Sequence, residues 1–279
     1  MIRKTYYILI IVLSLCIGCQ WHLKAGHGAS VSEGVEIERY DRIESLFLTM
    51  GDYSALQQMK TAYPEQTRML VEDVLHLGRV NDPDIDIRFL RFFQDSTLQQ
   101  LISSVQQQYA NIDDLNEQLA DAFERMKQEL PEVEIPRVYA QIGSFDQSII
   151  VGHGSLGISL DKYLGADYPF YLEHYDERQR RMMVRSMIVP DCLSFYLLSA
   201  FPPKRFFEPL WSEPAGDSLR RERDAHMGRI QWVVNQLMGR DVFDSEAVVR
   251  IDQFMKKHRG MRYDLLLRIS EETLFQVDS

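Results

Sequence analysis

The stretch from residue 136 to residue 160, PRVYAQIGSFDQSIIVGHGSLGISL, decides the fold class because it is the part of the chain with the pattern of a sheet. Apolar and polar residues alternate over Pro136–Ile142 and again over Leu156–Leu160, and Ser148–Val151 is rich in β-branched residues. Alternation with a period of two is typical of strands, and the glycines between the runs favour turns. We predict two or three short antiparallel strands, a hairpin or meander at about 135–160, that need helices packed against one face.

Outside this stretch the apolar residues recur every three or four positions, which predicts helices. The opening helix begins near Glu38, and its predicted apolar face consists of Tyr40, Ile43, Leu46, Phe47 and Met50. Ser96 and Gln99 have the spacing of a capping box, which predicts a helix over 96–109. Met182–Phe201 is apolar almost all round and predicts a buried helix that Pro190 either kinks or starts. Other predicted helices cover about 66–77, 112–130, 218–238, 245–258 and 263–274. The predicted fold class is therefore α+β and predominantly α-helical.

The sequence GHGSLG at residues 152–157 matches the G-x-G-x-x-G pattern of dinucleotide-binding loops. A strand-like run follows it instead of a long helix, so nucleotide binding is disfavoured unless a helix begins at Gly157. The esterase pattern G-x-S-x-G is incomplete, because His153 stands where the first glycine is needed. The favoured interpretation is a glycine-rich hairpin with positive φ angles.

Aromatic and ionisable residues crowd into this stretch and the segment directly after it. Such groups suit a cleft that binds carbohydrate or peptide, although core and turn roles explain most of them equally well. The candidate cleft consists of Tyr139, His153, Asp161, Tyr163, Asp167 and Tyr171. The seven histidines form no H-E-x-x-H motif, so we predict no catalytic residue, no metal and no other cofactor.

The first nineteen residues have the anatomy of a bacterial lipoprotein signal. Arg3 and Lys4 precede an apolar run over 6–15 that is too short to span a bilayer comfortably. Gly18 then precedes Cys19, which is the predicted lipidation site, and an ordinary secretory signal or an uncleaved anchor is the alternative. The predicted organisation is a signal peptide over 1–18, a flexible tether over 19–35, and one mainly helical domain over 36–279.

The charge and cysteine content restrict the partners of the exported chain. The net charge is −10, and removing the two positive charges of the leader makes the remainder more acidic still. An acidic surface disfavours nucleic acid and anionic lipid headgroups, so we expect the attachment to the membrane to be through the lipid. Cys192 would be the lone remaining thiol, and its apolar surroundings predict a buried, inert side chain.

Several segments resemble the gliding-motility lipoprotein family GldB of the Bacteroidetes. The segment SLDKYLGADYPFY at 159–171 resembles the signature segment of the family, and IPRVYAQI at 135–142 resembles the strand before its hairpin. The segments at 37–41, 62–64 and 89–95 are similar to its opening helix, first break and Phe-x-x-Asp segment. The resemblance covers roughly Glu36–Asp176, and the C-terminal third is shortened or divergent.

The resemblance implies an outer-membrane lipoprotein that faces the periplasm, has no known catalysis, and supports gliding or the associated secretion machinery by binding other envelope proteins. A periplasmic hydrolase or a lipoprotein that binds glycan or peptide is the alternative. A degenerate relative of zinc peptidases, lacking H-E-x-x-H, is one form of that alternative.

Overall fold

The computed structural model describes residues 35–203 and 216–269, which belong to one compact unit. Before the sheet come α1 (Tyr40–Met50), α2 (Tyr53–Ala62), α3 (Pro64–Arg68) with a π-helical continuation (Met69–Val74), α4 (Ile85–Phe92), α5 (Ser96–Gln108) and α6 (Asp113–Glu129). The strands are β1 (Arg137–Gln141), β2 (Ile149–Val151) and β3 (Ser155–Ser159), followed by a 3₁₀ turn (Leu160–Lys162). After it come α7 (Pro169–His174), α8 (Glu177–Met182), a 3₁₀ turn (Arg185–Met187), α9 (Ile188–Ala200), α10 (Gly216–Met238), α11 (Glu246–Lys257) and α12 (Tyr263–Arg268). The predominantly helical α+β class is confirmed. The predicted signal peptide, lipidation site and nearly all of the tether lie outside the described residues.

The three strands form a mixed sheet in the order β1-β3-β2. β2 pairs with β3 antiparallel, as predicted, but β1 pairs with β3 in parallel, from Arg137 opposite Ser155 to Gln141 opposite Ser159. The prediction of an entirely antiparallel meander is therefore wrong. The connection from β1 leads to the far edge of the sheet, so β3 takes the central place and runs in the direction of β1. Glu38 bonds to β1 on its other side, through its backbone to Val138 and Ala140.

Helix α1 packs against β1 with a face that coincides only in part with the predicted one, because Tyr40 and Phe47 are buried as predicted. Its buried residues are Tyr40, Asp41, Glu44, Ser45, Phe47 and Leu48. Leu46 and Met50, assigned to the core by the apolar periodicity, are 40% and 67% exposed. Glu44 faces the segment after β1 instead, where its carboxyl group accepts a hydrogen bond from Ile142 N.

Helix α9 packs against β2 and β3 and starts where Pro190 occupies its first turn. The predicted helical range Met182–Phe201 contains the last residue of α8, a 3₁₀ turn and then α9, which begins at Ile188. Proline is tolerated in a first turn since its missing N–H has no helical acceptor there. Of the two predicted roles for Pro190, starting a helix is confirmed.

The N-cap of α5 is Asp95 rather than the predicted Ser96. The Asp95 carboxylate accepts hydrogen bonds from Thr97 N at 2.8 Å and from Leu98 N at 3.2 Å. The helix was predicted within a residue of its observed end, and only its cap was misplaced by one position. The structure also contains α4 and α7, which the apolar pattern did not predict.

Candidate functional site

The loop after β1 adopts a strained backbone that a buried carboxylate holds in place. Ser144 and Phe145 have φ angles of 52° and 67°, a left-handed conformation that is uncommon for residues with a side chain. Asp161, fully buried in the turn after β3, accepts hydrogen bonds from Gly143 N at 2.7 Å and from Phe145 N at 2.6 Å. A Cβ on Gly143 would lie 2.6 Å from Ser159 Oγ, so the approach of loop to strand requires glycine. Strain of this kind persists only where surrounding contacts enforce it, which makes the loop a candidate functional element.

Phe145 places its ring in a column of three rings, the aromatic stack of Phe145, Phe170 and His174. The Phe145 and Phe170 centroids are 3.9 Å apart with a 5° interplanar angle, and His174 stacks on Phe170 at 4.0 Å and 12°. Phe145 is buried, Phe170 half-buried and His174 exposed, so the stack runs from the core to the surface. The strained loop therefore connects a buried carboxylate to an accessible aromatic surface.

Lys162 fixes the other side of the same loop. Its Nζ donates to Phe145 O at 3.0 Å and to Tyr175 OH at 3.1 Å, and lies 4.7 Å from the centroid of the Tyr175 ring. Because Asp161 binds the loop amides and Lys162 binds a loop carbonyl, two adjacent residues of the turn hold one short loop.

Tyrosine hydroxyls link this turn to the surrounding helices. Tyr171 OH donates to Asp161 O, and Tyr109 OH of the segment after α5 donates to Tyr163 O at 2.5 Å. Tyr163 OH donates to Asp191 Oδ2 at 2.8 Å, in the first turn of α9. Burial raises the pKa of Asp191 to about 7, so this carboxyl group titrates near neutral pH.

Glu44 supplies a second buried carboxyl group, which lies under the sheet. We call the set of Glu44, Tyr139, Gln141 and Asp161 the carboxyl layer. Glu44 Oε2 accepts a hydrogen bond from Ile142 N at 2.9 Å. Glu44 Oε1, Gln141 Oε1 and Tyr139 OH have no hydrogen-bond partner in the described part of the chain. Glu44 Oε1 is thus a buried acceptor without a donor, which disfavours the charged form of this carboxyl group.

Burial raises the pKa values of both carboxyl groups of this layer. For Glu44 the shift is large, the Ile142 amide opposes it, and the charges of Asp161 and Asp41 add to it. For Asp161 the Gly143 and Phe145 amides oppose the effect of burial. Glu44 therefore retains its proton at higher pH than an exposed glutamate.

The structure separates the six residues of the predicted cleft. Tyr139, Asp161, Tyr163 and Tyr171 are at most 1% exposed, whereas His153 and Asp167 are exposed. Asp161, Tyr163 and Tyr171 come together in the turn, and Tyr139 packs on Gly157, where a Cβ would lie 2.6 Å from its hydroxyl oxygen. Gly157 is in a strand and Gly154 has a φ of 69°, as the hairpin interpretation predicts. A ligand cleft formed by these six residues stays a prediction.

The sequence reasoning missed Glu44 and the aromatic stack. Glu44 is four residues after Tyr40 and three before Phe47, so its place on a helical apolar face was a usable signal. Phe170 and His174 are four residues apart, but only the tertiary structure brings Phe145 to them. Among the described residues, no group of three or more His, Cys, Asp or Glu side chains is placed to hold a metal ion.

Comparison with known families identifies the chain. The family model of the gliding motility protein GldB matches residues 25–210, more than half of the 279 residues. The chain belongs to the GldB family. The match extends beyond the predicted resemblance, past Asp176 and through α9, while α10, α11 and α12 lie outside it. No curated protein and no solved structure matches the chain.

Membership places this protein among gliding-motility lipoproteins of the cell envelope. Within the described ranges, no helix has both the length and the apolar character needed to cross a bilayer. Both the strained loop and the carboxyl layer lie within the part of the chain that matches the GldB family.

Proposed function

We propose that this GldB-family protein is anchored by a lipid on Cys19 and supports gliding motility, or the secretion machinery coupled to it, by binding other envelope proteins. The match to the family over residues 25–210 carries this proposal. We place the protein on the periplasmic face of the outer membrane and assign it no enzymatic role.

Two cysteines, Cys16 in the predicted leader and Cys19 directly after it, form a matched pair that tests the anchor. In cells fed an alkyne analogue of palmitate, Cys19→Ala should abolish labelling and release the protein from the membrane fraction. Cys16→Ala should remain labelled, because Cys16 belongs to the predicted signal peptide. Equal labelling of both variants would contradict the proposed site.

The motility role is tested in cells that lack the gene. The wild-type chain and Cys16→Ala should restore colony spreading and the export of surface adhesins, and Cys19→Ala should not. If spreading is normal without the gene, the motility role is wrong even where the lipid anchor is correct.

The aromatic stack favours a second candidate function, the binding of a glycan by stacking of sugar rings. His174 is exposed at the outer end of the stack, in contact with the half-buried Phe170. Binding of N-acetylglucosamine oligomers, measured by calorimetry, should be lost in Phe170→Ala and kept in Tyr53→Ala. Tyr53 is a suitable control because it is 65% exposed, contacts the Phe47 ring and lies on a different helix. Undetectable binding to the wild-type chain would exclude this class of glycan.

A further inference from the structure

A cavity of about 390 Å³ opens between the end of α9, the middle of α10 and the end of α12. Its apolar wall includes Phe201, Pro203 and Leu267, and its polar lining includes His226, Arg229 and Arg268. A volume in this range, with apolar walls and a few polar groups, is typical of sites for small molecules. We call it the arginine cavity.

A buried histidine orients one of the two arginines. His226 Nε2 lies 2.7 Å from Phe201 O, and His226 Nδ1 lies 3.0 Å from Arg229 Nη2. A carbonyl oxygen only accepts and a guanidinium only donates, so Nε2 carries the proton and Nδ1 accepts. Burial, reinforced by the Arg229 charge, lowers the pKa of His226 to about 4, which keeps the ring neutral. The neutral ring accepts a hydrogen bond from Arg229, a residue that is 4% exposed and lines the cavity.

The second arginine lies at the rim of the cavity. The Arg268 guanidinium carbon is 4.9 Å from the centroid of the Phe201 ring, and Arg268 Nη2 is 3.0 Å from Glu132 Oε1. Among the described lining residues the charged ones are Arg229, Arg268 and Glu222, so the lining contains two guanidinium groups and one carboxylate. A guanidinium matches the two oxygens of a carboxylate, and its charge persists at any physiological pH.

We propose that the arginine cavity binds a small amphiphilic carboxylate, an acyl chain that ends in one carboxylate group. The acyl chain lies against Phe201, Pro203 and Leu267, and the carboxylate is directed toward Arg229 and Arg268. The cavity lies partly on α12, beyond the residues that match the GldB family model, so this binding is a property of this chain rather than of the matched region.

Equilibrium dialysis of radiolabelled octanoate tests the site, with the full chain in lipid nanodiscs and empty nanodiscs subtracted. Octanoate should bind saturably, and octan-1-ol, which has the same chain without the charge, should bind at least about tenfold more weakly. Equal affinities for the acid and the alcohol, or no saturable binding of octanoate, would overturn the proposal.

The chain offers a matched pair of arginines for the variants. Arg268→Gln should weaken octanoate binding about tenfold, since a charge-assisted hydrogen bond is lost from the rim. Arg262→Gln should leave it unchanged. Arg262 is on the same terminal segment with a side chain 60% exposed, against 59% for Arg268, and each pairs with one carboxylate. Equal effects of the two variants would show a nonspecific attraction and contradict the site.

A photoreactive analogue of octanoate with a diazirine on its chain locates the binding directly. Crosslinks should map to residues 200–203, 222–229 or 267–269, and excess octanoate should suppress them. Suppressible crosslinks confined to other parts of the chain would place the ligand elsewhere and overturn the proposal.

Discussion

The carboxyl layer beneath the sheet and the arginine cavity at the end of the chain bury opposite charges, and burial acts on both in the same way. Under the sheet, burial raises the pKa of Glu44, so the carboxyl group tends to keep its proton. In the cavity, burial lowers the pKa of His226 to about 4, so the imidazole releases its proton. In each case the neutral form survives because taking a charge out of water is unfavourable. Arg229 is the exception, since a guanidinium does not lose its proton.

The two regions differ in what surrounds the buried group. Asp161 and Glu44 bind backbone amides, so their role is to hold strands, a loop and a helix together. His226 and Arg229 line a cavity that a molecule can enter. The carboxyl layer is thus a structural polar core within the family-matched region, whereas most of the lining of the proposed binding site lies beyond that region.

The largest expected effect is on the carboxyl layer. Asp161→Ala leaves the buried Gly143 and Phe145 amides without acceptors and should lower the free energy of unfolding by about 3 kcal/mol or more. Asp167→Ala, at an exposed position six residues away, should change it by less than about 0.5 kcal/mol. Urea unfolding followed by circular dichroism measures both. Similar values for the two variants would mean that Asp161 does not hold the strained loop.

The next largest expected effect is the pH dependence of stability that His226, in the lining of the cavity, produces. His226 has a lowered pKa in the folded state, so its contribution to stability is present above pH 6.5 and is lost as pH falls toward 4. His226→Gln supplies a donor to Phe201 O and an acceptor to Arg229 without titrating. Between pH 6.5 and pH 4 the wild-type chain should lose about 2 kcal/mol more than this variant. The exposed substitution His174→Gln is the control, and it should follow the wild-type curve.

In the carboxyl layer, the dependence of stability on pH should have the opposite sign. Glu44 has a raised pKa in the folded state, so its contribution is present below the ordinary glutamate pKa and is lost as pH rises toward the folded value. Glu44→Gln removes this loss, so the stability of the wild-type chain relative to the variant should fall by up to about 1.4 kcal/mol per pH unit within that window. Thermal unfolding from pH 5 to pH 8 measures the slope, with Glu117→Gln on the exposed face of α6 as control. If the stabilities of the wild-type chain and of Glu44→Gln change equally with pH, Glu44 is ionised in the folded state.

The smallest expected effect is on the stability of helix α5. Tyr109, at the end of α5, bonds to Tyr163 O, so weakening α5 should affect this region and leave octanoate binding unchanged. Asp95→Ala should lower the free energy of unfolding by about 1 kcal/mol, because it removes the N-cap. Ser96→Ala, one position away, should have little effect. A larger loss of stability in Ser96→Ala than in Asp95→Ala would instead support the capping box predicted from Ser96 and Gln99.

Prediction from the sequence succeeded where the signal is local and failed where contacts are distant in sequence. The limits of α5, α6 and α11 follow from apolar spacing and turn residues, and each was predicted within two residues. The parallel pairing of β1 with β3 was missed because alternation identifies a strand without identifying its neighbour. Of the candidate site, the proximity of Asp161, Tyr163 and Tyr171 was recognised, whereas the choice between a cleft and a core role for them was left open.

The sequence by itself determined the helical periodicity, the strand segments, the resemblance to the GldB family and the predicted lipid attachment, because each depends on residues close together in the chain. Only the tertiary structure decided that Glu44 faces the sheet, that Asp161 holds the loop of Phe145, and that His226 orients Arg229 beside Phe201. The physical reason is that a polar group can be buried without a large cost only where it has a hydrogen-bond partner. Here the partners come from distant parts of the chain, and only the packed fold brings them together.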